Sequence, residues 1–223
     1  MRRNLYRWIV VFAATTGAAL TLVLSALADK EQIHLTAAGQ AEARAAVLQR
    51  GDLGTSSGWT GGSLKPDLSS STPCPKFQPK QSDLILTGAA HTRYSHAGLF
   101  LDSEAQVLKT AQMLKLDWQR SVLAPGMLPC LTAVITKATG SSTRVVSVRR
   151  IAFPRVAQYT YAIRVLLEVK TATAPVHVFV DVVLVGRGRT ELTMMASGPA
   201  GAEAVTGAAE VRLFRALVSR VRA

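Results

Sequence analysis

Acids, cysteines and aromatics are all scarce in this chain. Its 223 residues hold 14 Asp and Glu against 26 Lys and Arg, two cysteines and 6% aromatics. No G-x-S-x-G, H-E-x-x-H or phosphate-loop motif occurs. Gly186-Arg187-Gly188 is followed by no helical pattern and reads as a hairpin turn, not a nucleotide cradle. Among the acids, only Asp117, Glu168, Asp181 and Glu191 fall within predicted core elements, and Glu168 and Glu191 are expected on exposed faces. No carboxylate pair stands out for hydrolysis, and no cofactor or metal is called for. Cys74 and Cys130, 56 positions apart, match neither a C-x-x-C nor a zinc spacing. In an oxidising compartment such a pair forms a disulfide, whereas in cytosol it is two separate thiols. The compartment decides.

What is present is positive charge. The formal charge of +12 implies attraction to polyanions such as anionic lipid or envelope polymers. Nucleic acid is not an expected partner, because aromatics are few, no binding motif occurs and the N-terminus signals export. Residues 1–7 carry three arginines and no acid, and residues 8–28 carry no charge at all. Ala26-Leu27-Ala28 offers a cleavage site before the polar Asp29-Lys30-Glu31. Residues 1–28 are thus a signal peptide, or a signal anchor if uncleaved, since 21 uncharged residues also suit a bilayer of roughly 30 Å. Either way the arginines stay inside and the remainder is extracytoplasmic, secreted or held by its N-terminal helix. In that compartment Cys74 and Cys130 are expected to bond. Cleavage would leave a charge of +9, since Arg2, Arg3 and Arg7 would be lost.

The exported part divides into an N-terminal helix within 29–50, a linker at 51–73 and a domain at 74–223. Residues 35–50 are rich in helix formers, with Thr36 as cap. Sixteen of the 23 residues at 51–73 are Gly, Ser, Thr or Pro, so they read as a loop that Trp59 anchors to the core. Residues 83–101 read as one or two strands. Ser103 and Gln106 form a capping-box pattern, and Val107, Ala111, Leu114, Trp118 and Val122 continue it as one helical stripe. A second short helix carries Met127, Cys130, Leu131, Val134 and Ile135. The period then changes to two: strands are expected at 143–153, 159–170, 176–185 and 190–197, the last two as a hairpin. A helix at 201–222 closes the chain, with acids early and arginines late as its dipole favours. Segregated strands and helices mean α+β, a central antiparallel β-sheet with helices packed against it.

His91 and His96, five apart, would point to opposite faces of a strand, so they read as surface or loop histidines and not as a metal pair. His177 and Asp181 share a face but lie roughly 13 Å apart along one strand, too far to touch. The basic residues are the better site candidates. Arg149, Tyr159, Tyr161, Arg164, Arg187 and Arg189 could form one sheet face that grips an anionic or carbohydrate ligand.

From Cys74 onward the pattern resembles small exported actinobacterial domains: the extracellular sensor domains of PknH-type receptor kinases and the related PsbP/LpqN-like fold. The carrying segments are LDSEAQVLKTAQMLKLDW with LPCLTAV, then VLLEVKTATAPVHVFVDVVLVGRGRTELTMM, then the closing helix. The resemblance implies a non-catalytic binding or sensor-like envelope domain acting through a ligand or protein partner. An envelope hydrolase with a dispersed active site, and a structural or assembly factor of a membrane complex, are the alternatives. The sensor domains usually carry two disulfides, whereas only one is possible here.

Overall fold

Alternating apolar residues need a sheet, and single apolar helix stripes need that sheet to cover them. The computed structural model describes residues 30–54, 58–68, 74, 77–139 and 142–222, with backbone alone at 204 and 205. The signal or anchor segment at 1–28 lies outside the described residues. Eight strands are present: β1 (Gln32–Ile33), β2 (Thr60–Leu64), β3 (Ile85–His96), β4 (Leu99–Leu108), β5 (Thr143–Arg150), β6 (Tyr159–Val169), β7 (Val176–Arg187) and β8 (Thr190–Pro199). Four helices join them: α1 (Ala37–Ala46), α2 (Ala111–Asp117), α3 (Met127–Ala138) and α4 (Glu203–Ser219). A π turn at Trp118–Val122 extends α2.

The strands form one sheet in the order β1-β3-β4-β8-β7-β6-β5, with β2 also paired to β3. The fold is α+β, as expected. The sheet is mixed, because β1 runs parallel to β3 while every other pair is antiparallel. Helices cover both faces. On one, Leu114, Trp118, Val122 and Leu131 of the α2–α3 unit pack on Ile163, Val165, Val180 and Val182. On the other, Ala43 and Ala46 of α1 and Phe214 and Leu217 of α4 pack on Ala162, Val183, Leu192 and Met194. The helix expected within 29–50 therefore packs on the core, through Ala43, Ala46, Val47 and Leu48. Thr36 caps α1 by accepting from the Gly39 amide at 3.0 Å. A Cβ at Gly88 would stand 2.0 Å from the Gly39 carbonyl, so only glycine at this bulge of β3 lets α1 lie so close.

Two expectations need correction. The helix expected from Ser103 is instead the second half of β4. Glu104, Ala105 and Gln106 favour helix in isolation, but pairing with β3 and β8 outweighs that preference. The helix starts eight residues later, where Thr110 accepts from the Met113 amide at 3.2 Å. The Gly/Ser-rich stretch at 51–73 is also not all loop, since β2 adds five residues to the sheet edge.

Cys74 and Cys130 are joined as a disulfide, with Cα atoms 5.7 Å apart, tying the segment before β3 to α3. Such a bond fits an extracytoplasmic compartment. Among the described residues no single helix is long and apolar enough to cross a membrane.

Candidate functional site

Directly opposed residues of antiparallel strands share a face. In β3 and β4 this rule sets His91 opposite Glu104 and Arg93 opposite Asp102. These four alternate with Thr92 and Ser103, whose hydroxyls turn to the α1 side: Thr92 donates to the Leu48 carbonyl, and Ser103 accepts from the Leu48 amide. Asp102 is 1% exposed. His91 Nε2 lies 2.9 Å from its Oδ1, and Arg93 Nε donates to its Oδ2 at 2.7 Å. His91 Nδ1 faces Glu104 Oε1 at 3.9 Å.

The charges follow from this packing. Burial pulls His91 down, but the hydrogen bond and charge of Asp102 outweigh it and raise its pKa. Burial pushes Glu104 up to about 7, against the pull of His91. His91, Asp102 and Glu104 each offer a donor atom within 4.8 Å of the others, so they could in principle hold a cation. Asp102 is already committed to both His91 and Arg93, however, and a cation would have to displace the guanidinium.

Arg93 connects this cluster to the outside. Its guanidinium stands over the Phe100 ring at 5.2 Å and is bound to Asp102 through Nε. Its two terminal nitrogens have no hydrogen-bond partner among the described residues. Arg93, Phe100, Tyr94, Leu64 and Leu99 line a cavity of about 210 Å³ at the β2–β3–β4 edge. Gly61 of β2 shapes its wall: φ is +119°, and a Cβ there would stand 2.1 Å from the Arg93 carbonyl. A guanidinium fixed at one nitrogen and open at two is built to receive a carboxylate or phosphate in a fork.

A second buried polar group lies on the same face of the sheet. Asp117 accepts from Gln81 at 3.0 Å and from Ser121 at 2.9 Å. Burial and then the charge of Asp117 push Glu191 well above the carboxylate range, and the same two causes raise Glu31 to about 7. Asp117 itself is raised by burial, against the hydrogen bonds from Ser121 and Gln81.

The expected exposed place of Glu191 and the expected surface place of His91 are both corrected, since one has a carboxyl oxygen buried without a partner and the other is 8% exposed. Period two places a residue on a face but does not say whether that face is covered.

The six basic and aromatic candidates do not gather. Tyr159 and Tyr161 lie on the α2–α3 side, where Tyr159 stacks on Trp118 at 5.2 Å. Arg164 lies on the other side, bound at both ends of Asp181 at 2.6 and 2.5 Å. Arg187 donates to the Val218 carbonyl in the last turn of α4, and Arg189 binds Glu42 of α1 at 2.6 Å. Arg149, opposite Arg164 on the edge pair β5–β6, is exposed. Arg93 was not among them. The one sequence signal for it is a lone arginine, within HTRYSH, on a strand of small residues. No family model and no curated protein matches the chain.

Proposed function

We propose that this protein is an exported, non-catalytic binding module. It seats a small anionic headgroup, a carboxylate on a short apolar stem, against Arg93. The observation that carries this reading is the Arg93 guanidinium, anchored by a buried Asp102 and open toward a cavity walled by Phe100 and Leu64. The head meets the fork and the stem meets the apolar wall. A binding role is favoured over catalysis because His91 faces two carboxylates and bonds to no serine or threonine hydroxyl among the described residues. The N-terminal signal pattern and the disulfide support export, whether the leader is cleaved or retained. A sensor-like role, as in the PknH-type domains the sequence resembles, would relay this occupancy to a protein partner.

The test is calorimetric titration of the full chain with hexanoate, acetate and inorganic phosphate. Hexanoate is expected to bind saturably and at least tenfold tighter than acetate, since each buried methylene contributes about 0.8 kcal/mol. Arg93→Gln should weaken hexanoate at least tenfold, while Arg149→Gln leaves it unchanged. Equal affinity in wild type and Arg93→Gln, or no binding of any probe, would overturn the proposal.

A further inference from the structure

Strand β5 ends the sheet on one side, and among the described residues it pairs with β6 alone. Next to β5, the Ile151 amide donates to the Ala162 carbonyl at 3.0 Å, one step beyond the Arg150–Ile163 pair. Bonded pairs of an antiparallel ladder alternate with unbonded ones. Arg149 and Ser147 therefore bond toward β6, while Val148 and Arg150 turn their N–H and C=O groups away from it. No described residue takes up those outward groups.

The charges along this edge are of one sign. Directly opposed residues run Asp181, Arg164, Arg149 across β7, β6 and β5. Asp181 is bound to Arg164, so Arg149 meets only a like charge, an unfavourable pairing. Glu168, the acid of β6, is bound to Arg144 and also faces His177. Arg150 projects from the other face, over the Tyr161 ring at 4.9 Å. Helix α3, which packs beside β5, carries Lys137 and no acid. Arg149 and Arg150 are both exposed, and Val146 beside them is 39% exposed.

We propose that β5 is a docking edge for an extended acidic segment of a partner protein. The segment adds one strand beyond β5, with consecutive acidic residues opposite Arg149 and Arg150 and an apolar residue opposite Val148. The acids are consecutive because the two arginines are adjacent and point to opposite faces. Charge complementarity selects this occupant. A second copy of the chain would bring arginines of its own, and the bulge between Val145 and Ser147 interrupts a matching edge. An anionic polymer would meet the charges but not the outward backbone groups, which a strand satisfies. This edge is separate from the Arg93 pocket and does not depend on it.

The probe is a fluorescent peptide with a Val-Glu-Glu-Val centre, titrated with the full chain and followed by anisotropy at low salt. Saturable binding with a Kd of about 0.1 mM or tighter is expected. A Val-Gln-Gln-Val peptide should bind at least tenfold more weakly. Two further peptides keep the acids but carry N-methyl groups on one or the other alternate set of backbone amides. The set facing β5 should lose at least tenfold, and the other should not. Arg149→Glu combined with Arg150→Glu should abolish binding of the acidic peptide and admit a Val-Lys-Lys-Val peptide in its place, which an unfolded variant could not do. No saturable binding of the acidic peptide would overturn the proposal, as would undiminished binding by both N-methylated peptides or by the double variant. Dextran sulfate that binds where the acidic peptide does not would overturn it as well, and assign the edge to an anionic polymer.

Discussion

Two arginine–aspartate pairs lie in the same sheet, and they are bonded differently. Arg164 and Asp181 sit directly opposite each other on β6 and β7, on the α1–α4 side. Arg93 and Asp102 sit directly opposite each other on β3 and β4, on the α2–α3 side. Each aspartate is 1% exposed. In the first pair two guanidinium nitrogens, Nε and Nη2, are used, and the Arg164 side chain is 19% exposed over the Phe179 ring. In the second pair one nitrogen is used, the side chain is 26% exposed, and its free end lines a cavity. Asp102 also has His91, whereas Asp181 has no second partner among the described residues. The difference teaches that a basic residue on a sheet can meet a ligand only through the guanidinium nitrogens its aspartate leaves free.

The largest effect should come from breaking the closed pair. Arg164→Ala leaves Asp181 buried without its cation and should cost about 3–5 kcal/mol in denaturant unfolding. Replacing both partners, Arg164→Met with Asp181→Leu, should recover most of that loss. A double variant as unstable as the single one would mean that the pair does more than neutralise itself. Arg93→Ala should cost less, about 1–2 kcal/mol, because His91 still pairs with Asp102. Equal losses for Arg93→Ala and Arg164→Ala would erase the distinction.

Buried acids with raised pKa lie on both faces, Glu210 at about 8 on the α4 side among them. On the Arg93 side Glu31 and Glu104 are raised from 4.5 to about 7, and Glu191 is raised as well. A carboxyl raised on folding binds more protons in the native state, so its stability contribution is full below about pH 4.5 and is lost as pH climbs through 7. His91, also raised, contributes below its unfolded pKa and loses that contribution as pH rises through the folded one. All these groups act in one direction. Unfolding free energy measured from pH 5 to pH 8 should fall by about 2 kcal/mol or more. Glu104→Gln should flatten part of that slope. A stability that rises over the window would contradict the buried, protonated state of these acids.

The smallest effect on stability should attend the most informative change. Arg93→Gln keeps a donor for Asp102 and is expected to shift unfolding by less than about 1.5 kcal/mol while removing anion affinity. A folded variant that still binds hexanoate would move the site elsewhere.

Much of the fold was legible because period two and period 3.6 are written into β5 to β8 and into α1, α3 and α4. The β7–β8 hairpin and the Thr36 cap follow from local chemistry alone. The segment LDSEAQ was misread because its residues favour helix, and only its neighbours β3 and β8 make it a strand. β2 escaped notice because TGGSL has no alternation, and a strand added at an edge needs none. The site was harder still. Arg149, Arg164, Arg187 and Arg189 are prominent in sequence, yet three of them are committed to an aspartate, a glutamate and a helix end. What distinguishes Arg93 is where Asp102 lies across the sheet and which of its nitrogens that contact uses. Those are facts of pairing register that no single strand carries.

The most direct measurement is ¹⁵N-edited NMR of the arginine guanidinium groups of the full chain during hexanoate titration, with Arg93→Gln and Arg164→Lys used to assign the signals. The terminal Arg93 resonances should shift and saturate while those of Arg164 stay still. Stationary Arg93 signals under saturating hexanoate, or shifts confined to other arginines, would contradict the open-fork site.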